Sequence, residues 1–224
     1  MSSPQLQSVQ AGHKQDFHDS ESDRQWQSAI VKEPVEGLVK VHSLGIDGDE
    51  QVDRVNHGGI DKAVLAYSAD HFEAWAEQYA DADASPSIGG AFGENLSIKS
   101  QVESEVCVGD IFQIGTCKLQ ISQPRQPCWK LSRRWGLEDL SIRVQETGRS
   151  GWYLRVVESG ELQAGDSIEL VDRLHPEWTI DAANNVMYVD RSADRDRELA
   201  ACPALSESWK EQLLHRAEKR DGRS

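Results

Sequence analysis

The sequence predicts a mostly β protein with helices: a closed or rolled sheet followed by a small three-helix appendage. Three observations carry this. Short apolar runs separated by Gly, Asp, Asn and Pro fill the stretch from Ile30 to Leu170, the signature of short strands between turns. Two pieces echo each other, Val106-Cys107-Val108-Gly109-Asp110-Ile111-Phe112 and Leu162-Gln163-Ala164-Gly165-Asp166-Ser167-Ile168. Each sets Gly-Asp between extended pieces, which is turn chemistry. After Arg173 the spacing of apolar residues becomes helical.

Taken in order, residues 1–25 carry only scattered apolar side chains among Gln, Ser, Asp and His, and read as a flexible tail. The β domain is expected over 26–172. Its strands are Leu38-Val39-Lys40-Val41, Ala63-Val64-Leu65-Ala66-Tyr67, Val106-Cys107-Val108, Ile111-Phe112-Gln113-Ile114 and Tyr153-Leu154-Arg155-Val156-Val157. One helix interrupts them from Asp70 to Tyr79, with Phe72, Trp75, Ala76 and Tyr79 on a single stripe. The helical domain is expected over 173–224. Trp178, Ile180, Ala183 and Met187 mark its first helix. Ser192 caps a second that runs to Ala201, before Pro203. Ser206 caps a third, with Trp209, Leu213 and Ala217 on one face. Three such short helices need a surface to pack on, either the barrel or a second chain in a homodimer.

Composition narrows the function. The formal net charge is −14, and such a surface repels a nucleic-acid backbone or an anionic membrane leaflet. A small substrate fits better. Nothing approaches the roughly 18 consecutive apolar residues of a membrane helix, and residues 1–25 have no signal-peptide core. The four cysteines, at 107, 117, 128 and 202, form no CxxC pair and no framework spacing. Free thiols point to a reducing, cytoplasmic setting.

Most such cysteines are small core residues. Cys117 alternates with Leu119 and Ile121 and faces a core; Cys107 sits between two valines; Cys202 lies at a helix end. Cys128 differs. It stands in Ser122-Gln123-Pro124-Arg125-Gln126-Pro127-Cys128-Trp129-Lys130, where two prolines end a strand and a helix begins at Lys130. From Ile111 to Leu137 there is no Asp or Glu, yet Lys118, Arg125, Lys130, Arg133 and Arg134 are present. Basic neighbours and a helix start favour the thiolate, the form that attacks or binds metal. The bland alternative is a structural cysteine in a Pro-rich turn.

Two glycine loops and one lysine join it. Val55-Asn56-His57-Gly58-Gly59-Ile60-Asp61-Lys62 allows close backbone approach to an anion, although a plain tight turn has the same composition. Gly89-Gly90-Ala91-Phe92-Gly93-Glu94-Asn95-Leu96 adds Asn95, which can donate or accept. Lys32 is the first cation of the folded part, and taken singly it reads as a surface residue.

Together the pieces resemble a known family. Gly45-Ile46-Asp47-Gly48-Asp49-Glu50-Gln51, His57-Gly58-Gly59-Ile60-Asp61-Lys62-Ala63, Phe92-Gly93-Glu94-Asn95-Leu96, Gly109-Asp110-Ile111-Phe112, Pro124-Arg125-Gln126-Pro127-Cys128-Trp129-Lys130 and Thr147-Gly148-Arg149-Ser150-Gly151-Trp152 are similar to the successive motifs of MOSC (molybdenum cofactor sulfurase C-terminal) domains, closest to the stand-alone YiiM type with a C-terminal three-helix domain. The resemblance implies a MOSC-type β-barrel that binds the molybdenum cofactor (molybdopterin carrying Mo). It implies Cys128 as the molybdenum ligand and catalytic centre, with Asn95 as a catalytic and cofactor-binding donor. Cofactor-binding candidates are Lys32, His57, Gly58, Gly59, Asn95, Arg125 and Arg149. The implied activity is two-electron reduction of N-hydroxylated compounds, such as 6-N-hydroxylaminopurine, to the amine. The sequence carries no flavin, haem, iron–sulfur or nicotinamide motif, so the electrons are expected from a separate reductase.

Other readings stay open. A molybdopterin carrier or sulfur-transfer module would also use Cys128. A metal-free thiol hydrolase would need His57 or His71 as its base. A pure binding module would need neither.

Overall fold

The computed structural model describes residues 3–19, 24–53, 58–82 and 85–222. Its strands are β1 (Gln5–Ala11), β2 (Gln15–Asp19), β3 (Arg24–Ser28), β4 (Glu33–Pro34), β5 (Val39–His42), β6 (Gly45–Ile46), β7 (Val64–Ser68), β8 (Leu96–Lys99), β9 (Ile111–Ile114), β10 (Cys117–Pro124), β11 (Trp152–Glu158), β12 (Gly160–Leu162) and β13 (Ile168–Asp172). Its helices are α1 (Phe72–Gln78), α2 (Trp129–Trp135), α3 (Leu140–Thr147), α4 (Ile180–Tyr188), α5 (Ala193–Ala200) and α6 (Glu207–Arg220).

Eight strands form the main sheet in the order β13-β9-β10-β11-β7-β8-β1-β4. All neighbours are antiparallel except β7 and β8. The sheet rolls, because the start of β1 meets the approach to β13. Gln5 bridges Ser167, Leu6 N–H donates to Asp166 O at 2.9 Å, and Gly165 N–H donates to Leu6 O at 2.7 Å. Rolling buries the inward residues of each strand, such as Leu6, Val64, Leu96, Phe112, Leu119, Ile121 and Leu154.

Residues 5–11 therefore correct the expected tail. They are a strand between β8 and β4, with Leu6, Val9 and Gln10 buried. The polar composition misleads because the strand's outward residues are polar; three buried positions suffice for an inner strand whose backbone bonds are met on both sides. The stretch from Val106 to Val108 is also not a strand. Val108 N–H donates to Trp178 O and Ile180 N–H to Val106 O, so it pairs with the segment leading into α4. The Gly-Asp echo has a shared geometry. The Asp110 carboxylate accepts the N–H of Cys107, and Asp166 that of Gln163, three residues back in each case.

The three C-terminal helices start at capping side chains, two of them the expected Ser192 and Ser206. Thr179, Ser192 and Ser206 each accept a backbone N–H from the first turn of α4, α5 and α6. Their apolar faces, including Ile180, Val186, Leu199, Trp209 and Leu213, join the same core cluster as the sheet. A satellite cluster of Tyr67, Phe72, Trp75, Phe92, Leu131, Leu140 and Val144 packs α1, α2 and α3 against the sheet's other side. No helix among the described residues is long and apolar enough to cross a membrane.

Candidate functional site

β10 delivers the chemistry. Pro124 ends it, Arg125 is held by its own N–H donating to Gly151 O at 3.0 Å, and Cys128 becomes the residue that precedes α2, with extended backbone. Of the four thiols, Cys107, Cys117 and Cys202 are buried and Cys128 alone is partly exposed. It lines a cavity of about 100 Å³ together with Lys32, Asp49, Lys62, Asn95, Arg125, Lys130 and Tyr153.

Arg125 is the wall's buried cation, 5% exposed. Its Nη2 donates to Phe92 O at 3.2 Å, while Nη1 is buried and has no partner. A desolvated donor without an acceptor is costly, and this one belongs to a side chain that lines the cavity. Lys130 donates to Gln27 O at 3.0 Å and lies 5.9 Å from the Trp26 ring centroid. Burial pushes the Lys62 ammonium below its ordinary value, against the pull of Asp61 and Asp53.

Lys32 reaches the cavity but does not stand alone. It is ion-paired to Asp49, whose same oxygen accepts Gly12 N–H at 2.8 Å. Burial lowers the Lys32 pKa, and Asp49 opposes this. The spacing of Asp49 within Gly45–Gln51 was visible in the sequence, but the long-range partner was not.

The second glycine loop wraps around Glu94. This carboxylate is fully buried and accepts Gly90 N–H at 2.7 Å, Phe92 N–H at 2.9 Å and the Ser97 hydroxyl at 3.1 Å. Gly90 (φ 82°) sits where a Cβ would meet Lys32 O at 2.7 Å, so only glycine fits. The loop presents Phe92, Gly93 and Asn95 to the cavity. Asn95 is already occupied with the backbone: its Oδ1 accepts Leu65 N–H at 3.1 Å and its Nδ2 donates to Gln10 O at 3.3 Å.

The other expected residues divide. His57 lies outside the described residues. Gly59 (φ 89°) opens a 3₁₀ turn and lines a neighbouring cavity of about 520 Å³, which shares Asp49, Glu50, Gln51 and Val52 with the first. Gly58 lines neither. Arg149 is not brought in either. α3 ends on left-handed Gly148, and the next guanidinium sits 5.2 Å over the Trp75 ring, a favourable place for a cation. His71 pairs with Glu103 at 2.6 Å and does not line the cavity. Tyr153, from β11, is a wall residue that sequence alone did not single out, because it looks like any aromatic in a strand.

A hairpin and a helix frame the opening. Among the described residues β2 and β3 pair only with each other, and Trp26 packs edge-on to Trp129 at 5.4 Å, leading straight into the wall residues Ser28, Ala29 and Ile30. From the other side, Gln126 donates to Gln212 of α6 at 3.1 Å.

Fold and cavity together define a rolled β-barrel protein that offers one accessible thiol beside a buried arginine with one unpartnered nitrogen. The chain belongs to the MOSC domain family: the MOSC domain model matches residues 53–169, and a YiiM-like, 3-alpha helix domain matches residues 178–220. It is 37% identical over 182 residues to the protein YiiM of Escherichia coli strain K12, across 81% of each chain. It is 38% identical over 176 residues to a Gibberella moniliformis protein named reductase, covering 78% of this chain and 30% of that one. The crystal structure of YiiM from Geobacillus stearothermophilus aligns with a TM-score of 0.80 at 35% identity, over 96% of this chain and 99% of that chain.

Proposed function

We propose that this protein holds a molybdenum cofactor in the Cys128 cavity and reduces N-hydroxylated compounds, such as 6-N-hydroxylaminopurine, to the amine. One observation carries the reading: a partly exposed thiol and a buried guanidinium nitrogen without a partner line the same small cavity. Soft sulfur suits molybdenum, and the unpartnered Nη1 of Arg125 suits the cofactor's phosphate, so the donor set fits the group. A relative named reductase, which spans most of this chain, agrees with redox work.

Each residue has a task in this proposal. Cys128, as thiolate, ligates the metal. Arg125 binds the phosphate through Nη1, and Lys62 and Lys130 add charge around it. Lys32 contributes less than its charge implies, because Asp49 already neutralises it. Asn95 shapes the wall by tying β1 to β7 and keeps one amide proton for a ligand. When bound, the cofactor supplies the two-electron chemistry that removes oxygen from an N–OH group. A separate reductase supplies the electrons.

The test is elemental analysis of protein from a host that makes molybdopterin, wild type beside Cys128→Ala. About one molybdenum per wild-type chain, lost or loosened in the variant, and conversion of hydroxylaminopurine to adenine are expected. A molybdenum-free wild type bearing persulfide on Cys128 would replace the reductase with a carrier or sulfur-transfer module.

A further inference from the structure

The chain has four tyrosines, and three of their hydroxyls are engaged. Tyr67 Oη accepts Trp75 Nε1–H at 2.6 Å, Tyr79 Oη donates to Asp139 at 2.9 Å, and Tyr188 is hydrogen-bonded to Gln126. Tyr153 is the exception: its hydroxyl has no hydrogen-bond partner among the described residues, although the side chain is only 9% exposed. The side chain lines the cavity, and its backbone is fixed between Leu65 of β7 and Gln123 of β10. Two polar groups on this wall are thus open to a ligand: Arg125 Nη1, which is buried without a protein partner, and the Tyr153 hydroxyl.

They suit different ligand atoms. A guanidinium takes an anion; a neutral phenol suits an uncharged oxygen. A phenol ordinarily loses its proton only at about pH 10, so the hydroxyl is uncharged near neutral pH and can donate.

We infer that the Tyr153 hydroxyl is the hydrogen-bond donor to the oxygen of the substrate's N–OH group. This rests on the proposed reductase function. In that reaction R–NH–OH takes two electrons from the separate reductase and two protons; the N–O bond breaks, giving R–NH₂ and water. A fixed donor on the oxygen meets the negative charge that develops there as the bond parts. The same contact distinguishes substrate from product, because the amine has no oxygen to accept it.

The test uses molybdenum-loaded protein without an electron donor, so that binding is read and turnover is not. Wild type and Tyr153→Phe are titrated calorimetrically with 6-N-hydroxylaminopurine and with adenine. The variant should bind the hydroxylated base about tenfold more weakly, the cost of one lost hydrogen bond, with unchanged adenine affinity and molybdenum content. An equal loss for both bases, or no loss, overturns the inference. Loss of molybdenum in the variant also overturns it, assigning the hydroxyl to the cofactor. A wild type that holds no molybdenum instead brings down the proposed function itself, while a discriminating wild type beside an unchanged variant brings down only the role of Tyr153.

Discussion

The ammonium of Lys32 rests on the carboxylate of Asp49 inside the cavity wall, with the two side chains 8% and 4% exposed. Neither charge has much water, so each depends on the other. Replacing Lys32 by Met should strand Asp49 and cost about 3–5 kcal/mol. Adding Asp49→Leu should recover much of that loss. Urea unfolding of the two variants checks this, and a double variant no better than the single one would show that the pair is not a closed unit.

The four thiols should separate sharply by reactivity. Burial raises Cys107 and Cys202 above the ordinary thiol value and pushes Cys117 to about 11. At pH 8 in native buffer, iodoacetamide should modify Cys128 alone, and all four only after unfolding. Peptide mass spectrometry reads the outcome; native labelling at Cys117 would contradict the buried barrel face.

Removing residues 1–11 should abolish cooperative unfolding. The truncation strips the partner from β8 and from β4 together and uncovers the barrel seam at Gln5 and Ser167. A truncated protein with an unchanged thermal transition would mean that β1 is dispensable.

Alkaline stability carries a signature of Tyr79. Burial first, and then its hydrogen bond to Asp139, raise this phenol from 10.0 to about 12. A raised folded pKa gives stability that is complete below pH 10 and lost as pH rises toward 12. Tyr79→Phe should therefore melt lower at pH 8 and decline less between pH 10 and 12 than the wild type. Parallel curves across that window would remove Tyr79 from the account.

Much of the fold was legible because it is local. The Gly-Asp turns, the caps at Ser192 and Ser206 and the alternation through Cys117, Leu119 and Ile121 are all short-range patterns, and the structure follows them. Cys128 was legible for the same reason, since prolines and the reversal of charge surround it in sequence. What failed was non-local. β1 is polar by composition and becomes a strand only through β8 and β4. Lys32 looks like a surface lysine until Asp49 is folded against it. Arg149 sits within a matching motif, yet Trp75, far away in sequence, draws it from the cavity. Tyr153 is marked by a missing hydrogen bond, a property that exists only in three dimensions.

The seam between Leu6 and Asp166 also fixes an order of events during synthesis. β1 can pair with β4 and β8 earlier, but its seam with Asp166 closes only after about 160 further residues are made. Until then the barrel's seam is open to other chains or to chaperones. The barrel's weak moment is therefore its birth, and overexpression should favour aggregates that form before residue 166 emerges.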